Sequence, residues 1–183
     1  MSPENTEESG QILLNTPNLY YMAMEGVKAS YERLAKSEEF MGREEGSFLS
    51  SVSLMSDFNK LDKAAWQMDF FNPATKKILS FVMKENIQIK ADQDMFQAFS
   101  VQELDVSLVK VEFDDAMKTS EAIVKGEFND MPGSVIAVLQ KRNSLLWIIT
   151  FVTVSMNVAC IEINAETGEI VSKKCGSVMG QKV

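Results

Sequence analysis

The sequence predicts an α+β fold made of two helix-plus-antiparallel-meander units in tandem. Three observations predict it. The stretch 145–174 reads as three strands, LLWIITFVTV, SMNVACIEIN and EIVSKK, the last two joined by AETG as a hairpin. Apolar residues recur at helical spacing in two places, over 16–37 and 114–128. Strand-like segments follow each of these, and Trp66-x-x-x-Phe70 in the first half matches Trp147-x-x-x-Phe151 in the second.

The first ten residues are rich in Glu and Ser and have little to bury, which predicts a disordered tail over 1–15. Thr16-Pro17 is a helix start, with Thr as N-cap and Pro at the first helical position. Tyr20, Ala23, Met24, Val27, Tyr31 and Leu34 then share a face, and Glu25, Lys28, Glu32 and Lys36 lie opposite. That predicts one amphipathic helix to about residue 37. Strands are predicted over 48–56 and 64–71, and a long one over 78–89. In the second strand Trp66, Met68 and Phe70 share a face. Asn72-Pro73-Ala74-Thr75 supplies the turn that follows it. The segment 91–101 fits a loop or a short helix equally.

In the second half, 106–111 is a short strand or an extended connector. A helix is predicted over 114–128, with Ala116, Ser120, Ile123 and Phe128 inward. Asn129-Asp130-Met131-Pro132-Gly133 ends it. Strands over 134–142 and 145–154 carry apolar residues on both faces, which predicts that something covers both sides of the sheet. Gly168 supplies a positive φ in the final hairpin, whose last strand is polar enough for a sheet edge. The chain then divides into a first unit over 16–103, a second over 104–176 and a tail over 177–183.

The aromatic strand W-x-I-x-F, followed by I-N-A-E-T-G-E-I-V, resembles the PepSY domain and the wider cystatin-like group of helix-plus-meander folds. Val111-Glu112-Phe113-Asp114-Asp115-Ala116 resembles the segment that opens the PepSY helix. Asn164 stands where the family usually has Asp, and Glu112 where it usually has Ser or Thr, a weaker N-cap. The resemblance covers roughly residues 106–174, with the first half as a degenerate repeat. It implies a non-catalytic module that binds or restrains a peptide or protein partner.

Composition excludes several chemistries. The chain has 183 residues, no histidine and a net charge of −8. Without histidine there is no Ser-His-Asp or Cys-His catalysis and no His-containing metal site. Two cysteines cannot complete a structural zinc site in one chain. Glycine-rich phosphate-binding and nucleophile-elbow motifs are absent. The acidic balance disfavours nucleic acid and anionic membrane. A polar, acidic start and the lack of any apolar run of about 18 residues predict a cytoplasmic protein.

The remaining candidates each have a bland explanation. Pairing Asn164 with Glu169 would set Cys160 and Cys175 diagonally on one face, about 7–8 Å apart and too far for a relaxed disulfide. Asp92-x-Asp94 and Asp114-Asp115 lack the spacing of a calcium loop. Trp66 and Trp147 fit a core better than a ligand platform. The methionines of the first half, among them Met24, Met41, Met55, Met68 and Met83, fit core filling or an adaptable groove. No catalytic, cofactor-binding or metal residue is singled out, and no cofactor is expected.

Three functions stay open. The first is a non-catalytic binding module for a peptide or protein, with the first helix and the methionine-rich sheet bordering its groove. The second is a small-ligand pocket or enzyme of cone-shaped α+β build. The third is a homodimer that buries the second apolar sheet face. Trp66, Phe70, Trp147, Phe151 and Gly168 are expected to carry the structure.

Overall fold

The computed structural model describes residues 24–94 and 101–177, with backbone alone for 91–94. The fold is α+β. Helices α1 (Val27–Ala35) and α2 (Glu38–Met41) precede strands β1 (Phe48–Asp57), β2 (Gln67–Asn72), β3 (Lys77–Met83) and β4 (Ile87–Asp94). Helix α3 (Phe113–Gly126) precedes β5 (Pro132–Lys141), β6 (Leu145–Thr153), β7 (Asn157–Asn164) and β8 (Ile170–Ser177). Among the described residues the strands form one antiparallel sheet, ordered β4-β3-β2-β1-β5-β6-β7-β8. The first strand of each half meets the other at the centre.

One face of this sheet holds the core. Phe81, Met68, Val52, Leu139, Trp147 and Ile163 are register partners in turn, a single apolar line across six strands. Because side chains alternate along a strand, Leu54, Phe70, Ala137, Ile149 and Phe151 fall on the same face, and all are buried. Phe40 of α2 packs edge-on to Phe70, with ring centroids 5.2 Å apart. Phe113 at the start of α3 meets Trp66 at 5.0 Å and Trp147 at 5.7 Å. The helices therefore share one side of the sheet.

The two tryptophans make matching hydrogen bonds. Trp66 Nε1–H donates to the Glu25 carbonyl at 2.8 Å, and Trp147 Nε1–H donates to the Val111 carbonyl at 2.9 Å. Each acceptor lies one residue before the N-cap of its own half's helix, Gly26 for α1 and Glu112 for α3. A buried indole needs such a partner. Both tryptophans belong to the core, as the sequence predicts, and so do Phe70 and Phe151.

Several elements differ from expectation. The residues 16–23 of the predicted first helix lie outside the described residues, as do the N-terminal tail and most of the C-terminal one. Gly26 is extended (φ −62°, ψ 157°), so α1 begins only at Val27. Ser37 then ends the helix by capping α2, its side chain accepting from Phe40 N at 3.3 Å. The long strand over 78–89 is a hairpin, because Lys84-Glu85-Asn86 turns the chain between β3 and β4. Met83 and Ile87 pair across that turn. The segment 106–111 is the connector, containing a short 3-10 turn at Val106–Leu108.

Two turns use the same chemistry. Asn72 Oδ1 accepts from Ala74 N (2.9 Å) and Thr75 N (3.2 Å). Asn164 Oδ1 accepts from Glu166 N (2.9 Å) and Thr167 N (3.1 Å). Asn thus fills the turn role at both positions. Gly168 has φ +81°, as the hairpin requires. Glu112 caps α3 without a side-chain hydrogen bond, the weak cap that its identity predicts.

Candidate functional site

The sheet's second face carries no helix among the described residues. Its outward positions follow from register. On β1 and β5, Met55 pairs with Ile136; on β5 and β6, Val138 pairs with Ile148; on β6 and β7, Val152 pairs with Val158. Met55 is 76% exposed and Ile136 41% exposed, whereas their inward neighbours Leu54 and Ala137 are buried. This is the doubly apolar pattern of the sequence with one of its two faces left open. Among the described residues the helices pack on one side only, and the two halves lie side by side in one sheet rather than face to face.

The same face is polar over the first half. Asp69 accepts from Ser51 Oγ (3.0 Å), Gln67 Nε2 (2.8 Å) and Ser80 Oγ (2.6 Å). Lys90 Nζ reaches Gln67 Oε1 at 2.5 Å. These side chains satisfy one another, so the network is a closed structural unit rather than a set of reactive groups. On this face the Asp69 network is thus polar, Phe48, Phe71 and Ile78 are an apolar end to the same half, and further apolar positions run from the end of β1 through β7.

At one end of the apolar half, Asp130 ties three elements together. Its carboxylate accepts from Thr153 Oγ1 (2.6 Å), Asn157 Nδ2 (3.0 Å), Met131 N (2.8 Å) and Ser155 N (3.4 Å). The Thr153 and Asn157 bonds, opposed by burial, hold its pKa well below the usual carboxylate range. Every donor is a structural element of the β6–β7 turn or the approach to β5, so Asp130 is a clamp. Nothing in the sequence marked it apart from the other acids, because its partners come from segments about 25 residues away.

The candidates weighed from sequence are dispersed. Cys160 pairs with Lys174 and Cys175 with Ala159, because a bulge between Glu162 and Ile163 shifts the β7–β8 register by one residue. The two thiols therefore lie on opposite faces of the sheet, not diagonally on one, and both are free. Asp92 and Asp94 lie on β4, with side chains outside the described residues. Asp114 and Asp115 open α3; burial pushes the pKa of the Asp114 carboxyl up, with Lys118 opposing. Asp115 pairs with Lys118 at 3.7 Å. Among the described residues no cluster of acids and cysteines is placed to hold a metal ion. Met68 and Met83 are core residues, so the first-half sheet offers no methionine groove on its helix side; Met41 and Met55 are exposed.

The described surface has several concave regions, among them one of about 500 Å³ lined by Glu25, Arg33, Asp62 and Lys84. A groove of about 660 Å³ runs past Ser50, Ile78, Gln102, Gln140 and Arg142. Arg142 is spent on Glu162 at 3.4 Å. A cleft of about 180 Å³ separates the starts of α1 and α3, lined by Met24, Trp66, Glu112, Phe113 and Asp114. Glu112 there faces Lys28 at 3.9 Å. Among the described residues no helix is long and apolar enough to cross a membrane.

No family model matches the chain, and no curated protein matches it. Among solved structures it is similar to "a putative lipoprotein" from Clostridium difficile 630, at 14% identity and a TM-score of 0.48. That similarity spans 72% of this chain and 84% of the other.

Proposed function

We propose that the protein is a non-catalytic protein-interaction module, built as two PepSY-like helix-plus-meander units in tandem, that binds its partner on the open face of the sheet. The observation that carries this reading is the split between faces. A sheet whose helix side holds the core retains on its other side an apolar strip in which Met55, Ile136 and Val158 are exposed and Val138, Ile148 and Val152 half-buried. Contiguous exposed apolar surface of this kind is characteristic of association.

The tandem arrangement has its own support. Each half runs helix and then four strands, and each tryptophan anchors the entry to its own half's helix. The first strand of each half is also irregular near its start, between Leu49 and Ser51 and between Pro132 and Ser134. A two-unit chain explains why both halves solve the same packing problem in the same way.

The small-ligand alternative rests on the cleft beside Asp114, whose carboxyl is shifted upward by burial. At about 180 Å³ the cleft is smaller than the roughly 300–1,000 Å³ of typical ligand pockets. The sheet face is the better-supported site. The test is a photo-crosslinking residue placed at Ile136 in the full chain and, as a control, at Lys90. Crosslinks to protein from position 136, lost when Met55 is changed to Lys, support the reading. Equal capture from both positions contradicts it.

A further inference from the structure

We propose that the occupant of the apolar sheet face is a second copy of this chain, which packs face to face as a twofold β-sandwich. This rests on the reading of that face as a protein-binding surface and names the partner. Four strands, β1 and β5–β7, span about 19 Å across and, at eight residues each, about 27 Å along. That is about 500 Å² per copy and about 1,000 Å² for a pair, at the lower bound for a specific interface. Short branched side chains such as Val138, Ile148 and Val152 suit interdigitation of two sheets about 10 Å apart.

Charge argues for self-association rather than a basic or acidic partner. The chain carries a net charge of −8, yet its apolar strip is locally balanced. Glu162 on the face is paired with Arg142, and Asp57 at its margin with Lys60 at 2.6 Å. A cationic partner finds no unmatched carboxylate there, whereas two acidic chains meet through their least repulsive surface. The sheet edge is a poorer route to a dimer. Antiparallel pairing of β8 with its own copy, centred on the strand, would set Lys173 and Lys174 against their counterparts. In the face-to-face arrangement a dyad along the strands between β5 and β6 lays β1 and β5 of one copy on β7 and β6 of the other, sets β2 opposite β8, and leaves β3 and β4 of each copy in water.

The experiment is sedimentation velocity of the full chain over a concentration series, beside Ile136→Lys, Met55→Lys and, on the polar half, Lys90→Glu. The expected result is a species of twice 20.5 kDa. Ile136→Lys and Met55→Lys are expected to weaken it at least tenfold, with Lys90→Glu unchanged. Met55→Lys keeps the test sound if Ile136→Lys disturbs folding, since Met55 is the more exposed of the two. A mass of 20.5 kDa throughout, or a dimer that both face variants leave intact, overturns the proposal. If the chain is monomeric but position 136 still crosslinks to another protein, the second copy is wrong and the binding face stands. If it is monomeric and position 136 captures nothing, both fall.

Discussion

The indole rings of Trp66 and Trp147 lie with centroids 6.0 Å apart at the seam between the two halves, each tied by its N–H to the chain just before a helix. Phe113 packs on both rings. Each tryptophan thus fixes where its own helix starts and shares one aromatic cluster with the other. Replacing Trp147 by Phe leaves the Val111 carbonyl without that donor, a loss of about 1–3 kcal/mol beyond the lost packing. Trp66→Phe has the same consequence at Glu25. Because the rings touch, the double variant is expected to depart from additivity by about 0.5–3 kcal/mol. Urea unfolding of the four proteins measures this; strict additivity would mean that the two anchors act independently.

Asp130 makes stability depend on acid. Its folded pKa lies below the ordinary value, so its contribution is complete above the unfolded value of about 3.9 and is lost as pH falls through the lower folded value. Asp130→Asn can keep the acceptor oxygen that Thr153 and Asn157 share but then turns an amide toward the Met131 and Ser155 N–H groups. The variant is expected to melt at lower temperature than the parent at pH 7, with the gap closing toward pH 2. Thermal melts across pH 2–7 check this, and a gap independent of pH would remove the carboxylate from the account.

Gly133 lies where β5 passes close to β6. A Cβ there would stand 2.8 Å from the Val152 carbonyl oxygen, a backbone atom that cannot step aside. Gly133→Ala is expected to cost about 1–3 kcal/mol as an overpacking change. Gly176→Ala, with nothing within 4 Å of the new Cβ, is expected to be near neutral. Chemical denaturation of the two variants provides the comparison.

The cysteines provide a test of register. Since Cys160 and Cys175 lie on opposite faces, mild oxidant is expected to form no bond between them within a chain. Native labelling should modify exposed Cys175 before half-buried Cys160. Peptide mapping after oxidation checks both, and an intrachain Cys160–Cys175 product would contradict the observed pairing.

Much of this architecture was legible because it is local. The alternation of Leu145 to Val154, the turn at Asn164 and the positive φ of Gly168 are all encoded within a few residues. Trp66 and Trp147 were recognisable as core from strand parity alone. Other features were set by partners remote in sequence. The Lys84–Asn86 turn carries no glycine or proline, so β3 and β4 read as one strand. The β7–β8 bulge reversed the face of Cys175 by a single residue, which turn chemistry alone does not predict. The apolar pattern marked both faces of β5 and β6, but pattern cannot say which face the helices take.

In the proposed reading one face of the sheet serves folding and the other association. The most direct measurement is the unfolding free energy of Ile136→Lys in urea, taken at a concentration where the chain is monomeric. A value within about 0.5 kcal/mol of the parent is expected, as for a substitution outside the core. A loss of several kcal/mol would mean that Ile136 belongs to the protein's own interior, and would contradict the open face.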